Sequence, residues 1–230
     1  KRHFLGVPLD LDELQGLSLL SEEGVRRAKL DLTLPDNKPK EGETVGSLIR
    51  RRLGGEVMDR LVGPLLGGIN AGDADALCLE SGVPQLFKAS QGDFSLVRSM
   101  QAFLKNQNRD PSDPVFLTHP DGLQTVVKRL EQEIDSNIRR NEQVTSIKIL
   151  DDSIVLKGSQ EYQTDAVILC IPAFAASKIL HDSCPNTSNL LADIQYASMA
   201  FITFAFNKDD VPQFNGSGFL VGRNENLLTT

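Results

Sequence analysis

Ala166-Val167-Ile168-Leu169-Cys170-Ile171-Pro172 is the stretch on which the fold class turns. A continuous apolar run of this length, closed by a proline, is the pattern of a strand covered on both faces. Residues 173–180 then read as a short helix. Just upstream, residues 144–150 read as a strand, Asp151-Asp152-Ser153 as a hairpin turn and Ile154-Val155-Leu156 as the returning strand, with a short extended piece near Tyr162. Before these, Asp121 is the expected cap of a helix carrying Leu123, Val126, Val127, Leu130 and Ile134 on one face. The order is helix, strand, strand, buried strand, helix.

The first third has a different grammar. Ser21 is a plausible N-cap, with Glu22 and Glu23 in the first turn where carboxylates suit the helix dipole. Val25, Ala28 and Leu32 follow at helical spacing, and Pro35 stops the segment. After a polar loop, Val45, Leu48, Ile49 and Leu53 form one helical stripe beside Arg50, Arg51 and Arg52, and Gly54-Gly55 breaks it. A second helix carries Val57, Leu61 and Leu65, with Pro64 inside it. Gly67-Gly68-Ile69-Asn70-Ala71-Gly72-Asp73 reads as a loop whose small residues let the backbone approach something flat or bulky; a tight turn between helices is the alternative. Another helix runs through Leu96, Val97, Met100, Phe103 and Leu104. The polar, proline-containing stretch 106–114 marks the best domain boundary. Residues 184–189 read as loop, and 200–206 and 219–221 as strands. Both ends of the chain are read as cuts from something longer.

The 230 residues are 40% hydrophobic and 24% charged, close to globular averages, so a packed core is expected. A net charge of −7 with mixed signs argues against nucleic acid, which needs a clustered basic face. Cys78, Cys170 and Cys184 share no ligand spacing and read as free thiols in a reducing compartment. The longest near-apolar run is far shorter than the ~20 residues of a membrane span, so an intracellular location, cytoplasmic or peripheral to a membrane, is the expectation. His3, His119 and His181 lie apart from each other and from the cysteines, so no metal site is expected. No nucleophile elbow, Walker loop or GxGxxG is present, and no catalytic residue is assigned. The Arg50-Arg51-Arg52 run could meet an acidic group such as a propionate or a phospholipid head; the alternative is a solvated helix face paired locally with Glu56 and Asp59.

Specific motifs then add a resemblance. Residues 45–57 carry Arg51-Arg52-Leu53-Gly54-Gly55-Glu56-Val57, and Pro64-Leu65-Leu66-Gly67-Gly68-Ile69-Asn70-Ala71-Gly72-Asp73 follows. Together with Leu77-Cys78-Leu79, Pro84-Gln85-Leu86 and the opening Leu5-Gly6-Val7-Pro8, they resemble in order and spacing the protoporphyrinogen oxidase family of FAD-dependent flavin amine oxidases. Gly122-Leu123, Val144, the strand end at Pro172 and Gly218-Phe219-Leu220-Val221 are similar to later elements of that family.

The resemblance implies an α+β chain: a helical substrate- or membrane-side subdomain (1–110), the middle segment of an FAD domain with its β-meander (111–180), and the start of an antiparallel substrate-domain sheet (181–230). It implies an internal fragment lacking the N-terminal and C-terminal FAD-binding segments, so FAD would be held weakly or not at all by this piece alone. The implied activity of the intact enzyme is oxidation of protoporphyrinogen IX to protoporphyrin IX. Coproporphyrinogen III, a phytoene- or amine-type substrate, or a non-catalytic porphyrin-binding module are the alternatives. By the same resemblance Gly68, Ile69, Asn70, Ala71, Gly72 and Phe219 would face the macrocycle, with Phe201 and Phe204 as further walls; a core role for at least two of these three phenylalanines is the alternative the residues favour. Val144 and Pro172 would lie against FAD. Peripheral membrane contact and a homodimer of the intact enzyme complete the expected partners.

Overall fold

Residues 3–4, 7–16, 18–35, 38–70, 72–92, 94–106, 117–134, 138–212, 218–222 and 225 are described by a computed structural model. Ala71, most of the polar stretch after Asn106, and the Gly216-Ser217 turn lie outside them. The chain divides into two compact units, Lys1–Pro111 with Ala197–Thr230, and Ser112–Tyr196.

The first unit is helical. A two-residue pair, β1 (His3–Phe4) with β2 (Val7–Pro8), precedes a 3-10 turn, Glu13–Gly16. Helix α1 (Glu22–Lys29) begins where the Ser21 hydroxyl accepts the Gly24 amide at 3.0 Å. Glu22 and Glu23 sit at its positive end and Arg26, Arg27 and Lys29 at its negative end. A 3-10 turn, Leu30–Leu32, ends it. Helix α2 (Val45–Leu53) is capped by Thr44, whose hydroxyl accepts the Ser47 amide. Next comes one continuous helical run: α3 (Gly55–Val57), a π-helical segment (Met58–Val62) and α4 (Gly63–Asn70). Helices α5 (Leu79–Gly82), α6 (Pro84–Ser90) and α7 (Leu96–Lys105) complete the unit, with Pro84 at the first turn of α6 and Ser95 capping α7.

The α2 stripe Val45, Leu48, Ile49 and Leu53 is fully buried, as its spacing requires, against Val25, Ala28, Leu79, Leu86, Leu96 and Met100. The next stripe is not the expected one. Val57, Met58, Val62 and Leu66 are buried, whereas Leu61 and Leu65 are half-exposed. The cause is the π turn, in which the Gly63 amide reaches back five residues to the Met58 carbonyl. An extra residue in one turn moves the buried position from 61 to 62 and from 65 to 66.

Gly54 ends α2 at φ 94°, ψ 169°, backbone open essentially to glycine alone. Its missing side chain also makes room for Arg27, whose guanidinium caps the carbonyls of Arg50, Arg51 and Arg52. A methyl group on Gly54 would stand 2.6 Å from Arg27 Cγ. Gly54→Ala is therefore expected to cost about 2 kcal/mol in a urea unfolding titration; a midpoint equal to that of the parent chain would refute the account.

The second unit holds helix α8 (Gln124–Glu133), an antiparallel meander β3 (Ser146–Ile149), β4 (Ile154–Lys157) and β5 (Glu161–Thr164), and helices α9 (Ala173–Leu180) and α10 (Pro185–Ala192). Ile149 opposes Ile154, and the hairpin closes where the Leu150 amide donates to the Ser153 carbonyl, as the Asp-Asp-Ser turn predicts. Helices α9 and α10 pack through small residues, the Ser177 and Ser188 hydroxyls lying 3.1 Å apart. Helices together with a separate antiparallel sheet make the expected α+β class.

Several local expectations are corrected. Residues 166–171 join no sheet among the described residues, and Ile168 is 88% exposed. Residues 200–206 and 219–221 likewise form no ladder, with Phe201 87% exposed, so the expected start of a second sheet is absent among the described residues. A strand exists only as a pairing, and an apolar, β-prone sequence secures none by itself. The α8 stripe from Leu123 to Ile134 faces solvent, and Leu123 rather than Asp121 occupies its N-cap, with no side-chain cap. Residues 185–189, expected as loop, open α10 because Pro185 suits a first helical turn.

Candidate functional site

Helix α4 continues through Gly67, Gly68, Ile69 and Asn70, so the expected loop begins only after Asn70. Glycine disfavours helix by about 1 kcal/mol each, and here the buried Leu66 and the preceding π turn hold the run together. Gly68 meets Leu220: a methyl group there would lie 3.3 Å from Leu220 Cδ2. A methyl group on Gly222 would lie 3.8 Å from Pro64 Cγ, one helical turn before Gly68, and 3.4 Å from the carbonyl oxygen of Asp59 in the π segment. Residues 218–222 thus run along α4, and glycines on both sides permit the approach. Ile69, 52% exposed, and Phe219, 86% exposed, carry apolar surface on the two elements that meet at this seam. Asn70 is exposed and Gly72 half-buried nearby. The fold therefore gathers Gly68, Ile69, Asn70, Gly72 and Phe219 into one unit.

The loop after α4 is anchored from below. The Asp73 carboxylate accepts the Asp75 amide at 2.9 Å, and its carbonyl accepts the amides of Ala76 and Leu77. The Gly46 amide donates to the Ala74 carbonyl at 2.7 Å and the Val45 amide to the Leu77 carbonyl at 2.9 Å, fastening the loop to the start of α2. The three arginines of α2 reach three different places. Arg50 binds both oxygens of Asp75 through Nε and Nη2, at 3.1 and 2.8 Å, and Asp59 through Nη2 at 2.8 Å. Arg51 grips the buried carboxylate of Glu43. Arg52, 1% exposed, pairs with the fully buried Asp31 at 2.6 Å. Asp59 is the local partner expected; Glu56 instead takes the amide and hydroxyl of Ser21. Sequence order alone carried no signal for Asp31, Glu43 or Asp75, which lie 8 to 25 residues from their arginines.

Electrostatics follow the geometry. The hydrogen bonds to Asp75 and then Asp59 raise the Arg50 guanidinium above its ordinary range, and Arg50 in turn holds Asp75 below the usual carboxylate range. Burial pushes Glu43 up, but hydrogen bonds from Arg51 and the Lys40 amide outweigh it and the net shift is downward.

In the second unit, Val144, Ile147, Leu156, Phe174 and residues 167–171 line an open groove of about 700 Å³, with Lys178 its one cation among the described residues. Pro172 sits where this lining segment turns into α9. Val144 and the end of the apolar run are thus brought to one place, in a different unit from Gly68 and Phe219. No helix of the described residues is long and apolar enough to cross a membrane.

Residues 2–228 match the family of flavin containing amine oxidoreductases, and the chain belongs to that family. Among its relatives, a coproporphyrinogen III oxidase of Bacillus subtilis is 30% identical over 98% of this chain and 49% of its own length. Protoporphyrinogen oxidase 1, chloroplastic, of Arabidopsis thaliana is 24% identical over 89% of this chain and 42% of its own. A solved structure described as a putative protoporphyrinogen oxidase from Exiguobacterium sp. 255-15 superposes with a TM-score of 0.66 at 28% identity, covering 81% of this chain and 41% of that one. The chain spans about half the length of the curated relatives it matches.

The groove fits one part of a flavin dinucleotide. Apolar walls at Val144, Ile147 and Phe174, beside the segment 167–171 that joins no sheet among the described residues, suit a flat adenine ring. The pyrophosphate finds no glycine-rich loop at a helix start, since GxGxxG is absent from the sequence.

Proposed function

We propose that this chain is the porphyrinogen-handling section of an FAD-dependent porphyrinogen oxidase of haem and tetrapyrrole biosynthesis. The observation that carries the reading is the seam at the end of α4. There Gly68 admits Leu220 while Ile69 and Phe219 keep exposed apolar surface on the two meeting elements. A flat macrocycle needs such a ledge, with apolar side chains to cover its face and backbone without bulk beside it. Membership of a flavin-containing family supports the cofactor, and relatives named for porphyrinogen oxidation support the substrate class.

When bound, FAD would supply the redox chemistry as the immediate electron acceptor from the porphyrinogen. The residues of this chain bind and orient. Ile69, Asn70, Gly72 and Phe219 hold the macrocycle, Asp73 keeps the loop in shape, and Val144 with the segment ending at Pro172 takes the adenine end of the cofactor. No acid or base is asked of this section. Protoporphyrinogen IX is the substrate of the first reading. Coproporphyrinogen III is the second, favoured by the higher identity to the Bacillus subtilis relative. Peripheral membrane contact and a homodimer belong to the same proposal.

The test uses the natural full-length protein with added FAD, given each porphyrinogen separately and followed by porphyrin fluorescence. Flavin absorbance on the purified protein and turnover above the autoxidation blank are expected. A colourless protein, or blank rates with both porphyrinogens, ends the reading; turnover of coproporphyrinogen III alone replaces the first substrate by the second.

A further inference from the structure

Among the described side chains, Arg50 joins both flanks of the α4 seam. Its planar guanidinium holds Asp75 at two points and Asp59 at a third. Asp75 belongs to the loop that follows the exposed end of α4, and its amide is tied to the Asp73 carboxylate. Asp59 lies in the π turn, and its carbonyl oxygen borders Gly222, in the segment that carries Phe219. These groups line a cavity of about 120 Å³ together with Gly72, Asp73 and the apolar Met58 and Pro64.

We infer that Arg50 is a positioning residue for the macrocycle ledge: it acts through Asp75 to fix the 72–75 loop, and through Asp59 to fix the π turn against which residues 218–222 lie. The inference rests on the preceding reading that this ledge receives a porphyrin. The role assigned to Arg50 is not that of a propionate ligand: its Nε and Nη2 are already engaged by carboxylates of this chain. Lysine cannot substitute fully, since a single ammonium cannot make the two-point contact to Asp75 and also reach Asp59.

The test is a double-mutant cycle in the natural full-length protein, Arg50→Gln, Asp75→Asn and the pair. Its readouts are protoporphyrin IX binding by fluorescence and amide exchange across residues 73–77, taken well below the melting temperature of each variant. Each single substitution is expected to weaken porphyrin binding about tenfold and speed exchange by a similar factor, with the double variant little worse than either. Arg50→Lys should recover part of the affinity, which a merely thermal loss of stability would not predict. Unchanged exchange at 73–77 in Arg50→Gln overturns the inference whatever the binding result, as does strict additivity in the cycle. Faster exchange together with no porphyrin binding by the parent protein leaves the brace standing and removes the substrate reading alone.

Discussion

Asp31→Ala is expected to destabilise the helical unit by about 4 kcal/mol, the range found when one member of a buried ion pair is deleted. Asp31 and Arg52 are both essentially without solvent contact. The carboxylate accepts Arg52 Nε at 2.6 Å, the Ser95 hydroxyl at 2.7 Å, and the amides of Val97 and Leu96 at 3.0 and 3.2 Å. It therefore neutralises a buried guanidinium and also caps α7 from 65 residues away. Removing it strands the Arg52 charge and leaves helix amides unpaired, and both penalties are large in a low-dielectric interior. Against a typical domain stability of about 5–15 kcal/mol, that loss moves a denaturation midpoint far to the left. The companion double variant, Asp31→Leu with Arg52→Met, separates the two penalties. It should recover the part due to the stranded charge but not the part due to the α7 amides. A unit that unfolds in urea within 1 kcal/mol of the parent when Asp31 is alanine would show that the pair is not holding these elements together.

Gly46→Ala ranks second, at about 3 kcal/mol, the upper range for an overpacked contact. A methyl group on Gly46 would stand 2.8 Å from the Asp75 Cα and press on its carboxylate. The obstacle is backbone and cannot swing aside, because the Gly46 and Val45 amides fasten that loop to α2. The loop must lift, and Asp75 leaves Arg50 as it does. Differential scanning calorimetry would register the loss in melting temperature. Gly67→Ala is the contrast: the nearest atom to its added methyl is the Gly72 carbonyl oxygen at 3.9 Å, so the helix should gain rather than lose. Equal losses at the two glycines would mean that general helix packing, and not the loop contact, sets the cost.

The elements that sequence foretold are those governed by near neighbours. Ser21 caps α1 because its hydroxyl needs only the amide three residues on, and the Asp151-Asp152-Ser153 turn closes β3 on β4 because the two strands adjoin. The stripe Val45, Leu48, Ile49 and Leu53 is buried as a 3.6-residue period demands. The next stripe slipped by one residue because a π turn is not written in apolar spacing; Pro64, which has no amide to donate, was the visible hint. The glycine-rich stretch read as loop is helical to Asn70, since intrinsic preference yields to packing at Leu66. The stretch 166–171 shows the same limit from the other side: its composition is that of a covered strand, yet it joins no sheet among the described residues.

By itself, then, the sequence determined the α+β class, the start of α1 at Ser21, the meander, and, through its ordered motifs, membership of the flavin containing amine oxidoreductases. Only the tertiary structure decided which carboxylate each of Arg50, Arg51 and Arg52 would meet, that Gly68 would face Leu220, and that Gly46 would lie under Asp75. Capping and periodicity act over one or two turns and can be read along the chain. Ion pairs and close approaches act through space, between residues whose separation along the chain says nothing about their distance in the fold.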